Sequence, residues 1–351
     1  MRVLLLTNSM APYRLPVFNE LARHCDLSVW FMREQLRRRA WPTYWDDIGF
    51  DFRVLPGREL RVRDRAVLVN TDAIHAAKDR DCVIVGGWDS LTAATAAAVC
   101  RARGVPYVLW SGSTALSTRN ASGLAQRYRR AFVKGASAYV SYGHAAAEHL
   151  ATLGAPREAT TVGRNVGDTT FFAEAKQDRK EGGRVGVFVG ELTPRLGADL
   201  LPALAEQAGL DEVLVAGSGP LADTLRESPR LTLLGQVDRA GVRDTLGRGN
   251  VFLAPFRVAP FSISVSEALA AGCPVVVSSV DGARDLVRPD ESNGRIAAVE
   301  PLSAFARAVR GVLDTATPEA ARDSVPADDY TTYANALLAA ARHAVSREAR
   351  P

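Results

Sequence analysis

Cysteine, histidine and aromatic residues are all scarce in this chain, and no hydrophobic run is long. The four cysteines, Cys25, Cys82, Cys100 and Cys273, are scattered, with no C-x-x-C pair. That spacing excludes a zinc ribbon and a disulfide framework and fits a reducing compartment. The five histidines fall in no H-E-x-x-H or related ligand spacing, so no metal site is expected. No stretch approaches the length of a bilayer span. The opening run Met1–Leu6 turns polar at Thr7-Asn8-Ser9, too short for a signal-peptide core and without a cleavage site. A cytoplasmic protein is the expectation.

What is present describes an ordinary globular chain. Its 351 residues, 47% hydrophobic and 23% charged, suit two domains rather than one large core. A formal net charge of +4 is small for this length and gives no ground for nucleic-acid binding.

Short aliphatic runs alternate with longer amphipathic stretches, the pattern of parallel sheets flanked by helices. Expected strands in the first half are Arg2–Leu6, Asp26–Phe31, Asp51–Val54, Cys82–Val85, Tyr107–Trp110 and Ala138–Val140, with helices at Leu15–Arg23, Leu91–Arg103 and Ala145–Leu153. Polar or glycine-containing loops follow the strands, and in open α/β sheets such loops form the binding crevice. Residues 168–183 are charged, poor in aliphatics and closed by two glycines, so they read as a linker. The alternation then restarts with Val185–Val189, Glu212–Ala216, Leu231–Leu233, Val251–Ala254 and Pro274–Ser278, and a helix from Tyr330 to about Arg347 ends the pattern.

Four pieces of the second half are informative together: Phe188-Val189-Gly190, Val215-Ala216-Gly217-Ser218-Gly219-Pro220-Leu221, Leu234-Gly235, and Pro260-Phe261 leading to Ser266-Glu267-Ala268-Leu269-Ala270-Ala271-Gly272-Cys273-Pro274. In that order and spacing they resemble the GT-B glycosyltransferases of the family 4 type. Ala11-Pro12-Tyr13-Arg14 near the start and Asn165-Val166-Gly167-Asp168 at the junction are similar to stretches of the same family. The resemblance implies an α/β chain of two Rossmann-like domains facing across a cleft. An acceptor domain would span 1–167 and a donor domain 184–328, with the 329–351 helix crossing back to the first domain. It further implies transfer from a nucleotide-diphosphate sugar, used as co-substrate, with retention of configuration and without metal or other cofactor.

The implied donor contacts can be named in this sequence. Glu267 is the carboxylate that would accept both ribose hydroxyls. Ser262, Ile263 and Ser264 open its helix, whose free N–H groups and dipole suit a diphosphate; a serine there is equally well a simple cap. Gly190, Gly217 and Gly219 would shape the strand-to-helix turns, and Gln236 and Val237 would border the base.

Three positions depart from the family pattern. Glu191 and Leu196 stand where an arginine and a lysine would balance the diphosphate, and Ala259 stands where a second glutamate would meet the sugar. Loss of such electrostatic partners removes a large catalytic contribution. Arg195 and Arg257 are candidates to restore the charge. The alternatives are a different donor, such as phosphoribosyl diphosphate, or an inactive GT-B partner protein.

On the acceptor side the candidates are Asn8, Ser9, Arg14, Trp88, Asp89, Ser111, Ser113 and Asn165, with Ser111 and Asp89 also the catalytic candidates. Asp89 reads as a helix N-cap at least as readily. No histidine follows the Tyr107–Trp110 strand, which fits a reaction in which the leaving phosphate takes the acceptor proton. His144 and His149 read as surface residues. Basic clusters at Arg33, Arg37, Arg38 and Arg39, at Arg58, Arg61, Arg63 and Arg65, and at Arg127, Arg129, Arg130 and Lys134 read first as solvated faces. With Trp30, Trp41, Tyr44 and Trp45 they also make peripheral membrane contact a candidate. Alanine- and arginine-rich composition suggests a bacterial source, where carbohydrate biosynthesis and secondary metabolism both use such enzymes.

Overall fold

The computed structural model describes residues 1–34, 48–62, 65–118, 122–165, 167–180, 182–325 and 329–348. The chain divides into two compact units, Met1–Arg164 with Tyr330–Pro351, and Asn165–Asp329.

In the first unit a seven-stranded parallel sheet runs in the order Asp51–Val54, Asp26–Arg33, Arg2–Ser9, Cys82–Gly86, Tyr107–Ser111, Ala138–Ser141, Thr160–Val162. The central strands are continuous aliphatic runs because helices cover both faces of such a sheet. Val3, Leu4, Leu5 and Leu6 are accordingly buried, as are Val83, Ile84 and Val85. The first strand runs on through the expected polar loop to Ser9, since Thr7 and Ser9 still pair with Phe31 and Arg33. An antiparallel hairpin, Arg58–Val62 with Arg65–Val69, and the Thr160–Val162 edge strand lie outside the expected strands.

The closing helix, Asp329–Glu348, belongs to this first unit. Tyr333, Leu337, Leu338, Ala341 and Ala344 form its buried stripe at helical spacing. Tyr333 receives a hydrogen bond from Trp110 Nε1 at 2.5 Å. It also packs on Gly163, where any Cβ would come within 2.4 Å of the ring.

The second unit holds a six-stranded parallel sheet, ordered Leu231–Gly235, Glu212–Ala216, Val185–Val189, Val251–Ala254, Val275–Ser278, Gly294–Ala297. The order reverses between Val185–Val189 and Val251–Ala254. In doubly wound folds ligands bind beyond the strand ends at such a reversal. Residues 190–196 and 255–262 leave the sheet there. In the first unit the equivalent point lies between Arg2–Ser9 and Cys82–Gly86.

The stretch read as a linker is folded onto the second unit instead. Asp168 caps a short helix, Thr169–Ala173, by accepting the Phe171 N–H at 3.1 Å, and Phe172 is buried. Further on, Gln177 donates to the Ala271 carbonyl at 3.1 Å and Arg179 to Gly272 at 2.5 Å. These are the unpaired carbonyls at the end of the Ile263–Ala270 helix, where donors and positive charge are favoured. Charged residues poor in aliphatics thus serve here as a helix-end strap.

Candidate functional site

Three glycine-containing loops at the strand ends of the second unit are joined backbone to backbone. Gly190 N–H donates to Ala216 at 3.0 Å, Leu192 N–H to Ser218 at 2.9 Å, and Gly217 N–H to Gly235 at 2.8 Å. A Cβ on Gly217 would fall 1.9 Å from the Gly190 carbonyl oxygen, and one on Gly219 2.6 Å from that of Leu192. Only glycine allows this approach, so both residues are required by the turn itself. Gln236 is exposed and Val237 half-buried just beyond the Leu231–Gly235 strand.

The helix Ile263–Ala270 starts at the order reversal. Ser262 is its first capping residue but makes no side-chain cap; its N–H donates to Asp281 Oδ1 at 3.1 Å. Ile263 and Ser264 are half-buried in the first turn, while Ser266 is fully buried and bonds back to the Ile263 carbonyl at 2.8 Å. Asp281 Oδ1 also accepts the Ala283 N–H at 2.9 Å, and its Oδ2 is buried with no partner among the described residues. Burial pushes this carboxyl up to about 6.

One turn into the helix, Glu267 is half-buried and makes no hydrogen bond among the described residues. Gly167 lies against it so closely that a Cβ there would be 3.2 Å from Oε1. Desolvation raises the Glu267 carboxyl to about 7, opposed by the nearby charge of Arg239 and reinforced by Asp168. Arg239 is itself fixed, 2.6 Å from Asp168 and 4.0 Å above the Phe171 ring. Neither Arg239 nor Asp281 stood out in the sequence. The Arg239 and Arg243 spacing along one helix, both over Phe171, was the available signal.

The cation question has a geometric answer for one of its two candidates. Arg257 spends its guanidinium on Asp199, at 2.7 and 2.9 Å, and on the Pro194 carbonyl at 2.6 Å. It clamps two loops together and has no fork left for a ligand. Arg195 is half-exposed, donates to the Val258 carbonyl at 3.1 Å, and stands 3.9 Å from Glu191. Leu196 is buried, as is Ala259, so apolar packing occupies both positions.

In the first unit, Asn8 is exposed and Ser9 buried at the end of the first strand. Arg14 bonds Thr7 Oγ1 at 3.0 Å and the Tyr142 hydroxyl at 2.8 Å, with its guanidinium carbon 4.6 Å from the Trp110 ring centre. Ser111 is buried and its Oγ accepts the Ser113 N–H at 3.2 Å, which holds the turn. Asp89 is exposed and is not the helix cap; Ser90 is, accepting the Ala93 N–H at 3.0 Å. Trp88 is 2% exposed, and Asn165, which opens the second unit, is 5% exposed.

Several surface assignments are overturned. His149 is buried, 6.3 Å from the Trp88 ring, with Nε2 3.1 Å from Thr118 Oγ1, and burial lowers its pKa. His144 is exposed. Arg129 and Trp30 are buried, whereas Arg58, Arg127, Arg130 and Lys134 are exposed. Arg33 pairs with Glu59 at 3.4 Å. Arg37, Arg38, Arg39, Trp41, Tyr44, Trp45 and Arg63 lie outside the described residues, as do the side chains of Arg61 and Arg65. Among the described residues no helix is long and apolar enough to cross a membrane, and no His/Cys/Asp/Glu cluster has metal-site geometry.

Two Rossmann-like units of this topology, with a knitted glycine ledge and a glutamate-bearing helix, define the GT-B fold class. Solved structures agree. Anabaena HepE in complex with UDP aligns over 99% of this chain and 97% of its own, with a TM-score of 0.67 at 16% identity. The apo lipopolysaccharide outer core galactosyltransferase WaaB aligns over 97% and 99%, with a TM-score of 0.70 at 12% identity. Residues 183–315 match the family described as glycosyl transferases group 1. A phosphatidyl-myo-inositol mannosyltransferase of Mycolicibacterium smegmatis is 34% identical over 160 residues, 42% of this chain and 41% of that protein. The chain thus spans about two fifths of the length of that curated relative.

Proposed function

We propose that this protein transfers a glycosyl group from a nucleotide-diphosphate sugar to a hydroxyl- or amine-bearing acceptor. The observation that carries the reading is Glu267, a carboxylate that accepts no hydrogen bond among the described residues, on the helix that starts at the order reversal. A pair of ribose hydroxyls supplies the two donors it lacks. The helix start and the adjoining glycine ledge offer backbone N–H groups to a diphosphate. Structural neighbours that bind UDP support a nucleotide donor.

The step we infer retains configuration and needs no metal. The acceptor oxygen or nitrogen forms its bond to the anomeric carbon on the face from which the phosphate departs. The carbon–oxygen bond to the diphosphate breaks, and the acceptor proton passes to the leaving phosphate oxygen. Arg195 is the remaining side-chain candidate to balance the growing negative charge.

Titration of the purified protein with nucleoside diphosphates, with Glu267→Ala as control, tests the reading. Binding that the substitution abolishes supports it, and absence of binding by every nucleotide rejects it. A second reading, a non-nucleotide donor such as phosphoribosyl diphosphate, is favoured by Glu191, which faces Arg195 at 3.9 Å where the family pattern has a cation. Its test is the same titration with that diphosphate.

A further inference from the structure

The helix Gly123–Lys134 buries one face and carries an ordered pattern on the other. Arg129, Phe132 and Val133 turn inward. The outward side is itself divided in two. Leu124, Tyr128 and Ala131 follow one another at helical spacing, so they share one stripe along the helix, and all three are exposed. Arg127, Arg130 and Lys134, also exposed, share a second stripe beside it.

Leu124 is 77% exposed, more than any other large apolar residue described, and Tyr128 is 40% exposed. The Tyr128 hydroxyl donates to the Trp88 carbonyl at 2.9 Å, and its ring centre lies 6.0 Å from that of Phe132. Both contacts hold the ring at the surface. The helix contains no acidic residue, and none of its three outward cations makes a hydrogen bond or ion pair among the described residues. In the first basic cluster, by contrast, Arg33 is paired with Glu59 at 3.4 Å.

A helix face built only for water mixes charges of both signs and pairs them at this spacing. A single exposed leucine needs no partner. Three unpaired cations in register beside a leucine and a tyrosine fit a surface that is negative outside and apolar just beneath. A bilayer with anionic headgroups has that profile: the cations meet phosphates while Leu124 and the Tyr128 ring enter the interfacial layer. A soluble polyanion would satisfy the cations and leave Leu124 in water.

We propose that the outward face of the Gly123–Lys134 helix docks the protein on an anionic membrane surface. The contact is interfacial, with no part of the helix crossing the bilayer. It stands whether or not the glycosyl-transfer reading holds.

Flotation of the full chain with vesicles of phosphatidylcholine, alone or mixed with phosphatidylglycerol, tests the surface without turnover. Binding is expected on the mixed vesicles and should weaken steeply as salt rises. Arg127→Gln, Arg130→Gln and Lys134→Gln should each lower the partition coefficient about fivefold, the factor expected for one cation at such a surface. Leu124→Ser should lower it about tenfold, and Leu124→Trp should raise it. Arg58→Gln, exposed on the hairpin of the same unit, should bind as the wild type does. All of these side chains are exposed, so the variants should also melt with the wild type. Soluble polyglutamate should bind more weakly than the mixed vesicles, with no effect of Leu124→Ser. No binding to mixed vesicles, equal binding to neutral ones, or unchanged partition in Leu124→Ser overturns the proposal. So does a loss in Arg58→Gln as large as that in Arg127→Gln, or an Arg127, Arg130, Lys134 or Leu124 variant that melts well below the wild type. Binding of polyglutamate as tight as that of the mixed vesicles overturns it too, in favour of a soluble acidic partner.

Discussion

Asp168 binds Arg239 at 2.6 Å through one carboxylate oxygen while its other oxygen caps a helix by accepting the Phe171 N–H. Phe171 in turn lies 4.0 Å beneath the guanidinium. The arginine therefore keeps a fixed position, from which its charge opposes the burial of Glu267. Arg239→Gln should raise the Glu267 pKa above its present value of about 7. Nucleotide binding near neutral pH should weaken by roughly three- to tenfold, and the defect should shrink in more alkaline buffer as Glu267 ionises again. Titrations at two pH values decide it. A defect of the same size at both would mean that Arg239 acts by another route.

Glu267 itself gives a signed pH dependence. Its folded pKa, about 7, lies above the ordinary carboxylate value of 4.5, so the folded state binds the proton more tightly than the unfolded chain. Stability from this group is full below the unfolded value and is lost as pH rises through about 7. Ligand binding has the opposite slope, because two hydroxyl donors need the ionised acceptor. Nucleotide affinity should rise with pH through this range, and below it each binding event should release a fraction of a proton. Calorimetry in buffers of different ionisation enthalpy counts that proton, and Glu267→Gln should remove it. At alkaline pH the glutamine variant should also be more stable, by about 1–2 kcal/mol after allowance for partial solvation.

The two arginines beside the glycine ledge should separate by assay. Arg257 clamps Asp199 and Pro194, so Arg257→Ala should lower stability by about 1–3 kcal/mol with a smaller change in nucleotide affinity. Arg195 is more open, with Glu191 at 3.9 Å, so Arg195→Ala should leave the melting temperature nearly unchanged and weaken diphosphate binding. Glu191→Gln should strengthen that binding, since it removes the opposing charge. Equal effects of both arginines on affinity would contradict this division.

The strands of both sheets could be read before the structure because their aliphatic runs are long and uninterrupted, as Val3–Leu6 and Val275–Val277 show. The hairpin at Arg58–Val69 and the strands Thr160–Val162 and Gly294–Ala297 escaped because each strand is at most five residues long, and Arg58–Val62, Thr160–Val162 and Gly294–Ala297 mix polar with apolar residues. At the candidate site, the turn at Gly217 was readable because only glycine allows that approach, and Glu267 could be placed on its helix by the small apolar residues that follow it. Partner choice was not readable. Nothing local tells that Arg257 is spent on Asp199, or that Arg129 alone among its neighbours turns inward. His149 shows the same limit, because an alanine-rich helix gives no amphipathic contrast from which to place one histidine.

Asp281 gives the last prediction. It is fully buried, its Oδ1 accepts the N–H groups of Ser262 and Ala283, and its Oδ2 has no partner among the described residues. One oxygen thus orders the start of the Glu267 helix, while the other makes ionisation expensive, and the carboxyl is pushed up to about 6 from an ordinary 3.8. A raised folded pKa means that stability from this group is greatest in acid and declines as pH rises through about 6. Asp281→Asn keeps the accepting oxygen and removes the charge, so its stability relative to wild type should improve by about 2–3 kcal/mol across that window. Asp281→Ala loses both hydrogen bonds and should be destabilised by about 2–4 kcal/mol even in acid. Chemical denaturation of the three proteins on either side of the window checks both claims. If the asparagine and wild-type curves stay parallel across it, the buried carboxyl is not what loosens this helix start at neutral pH.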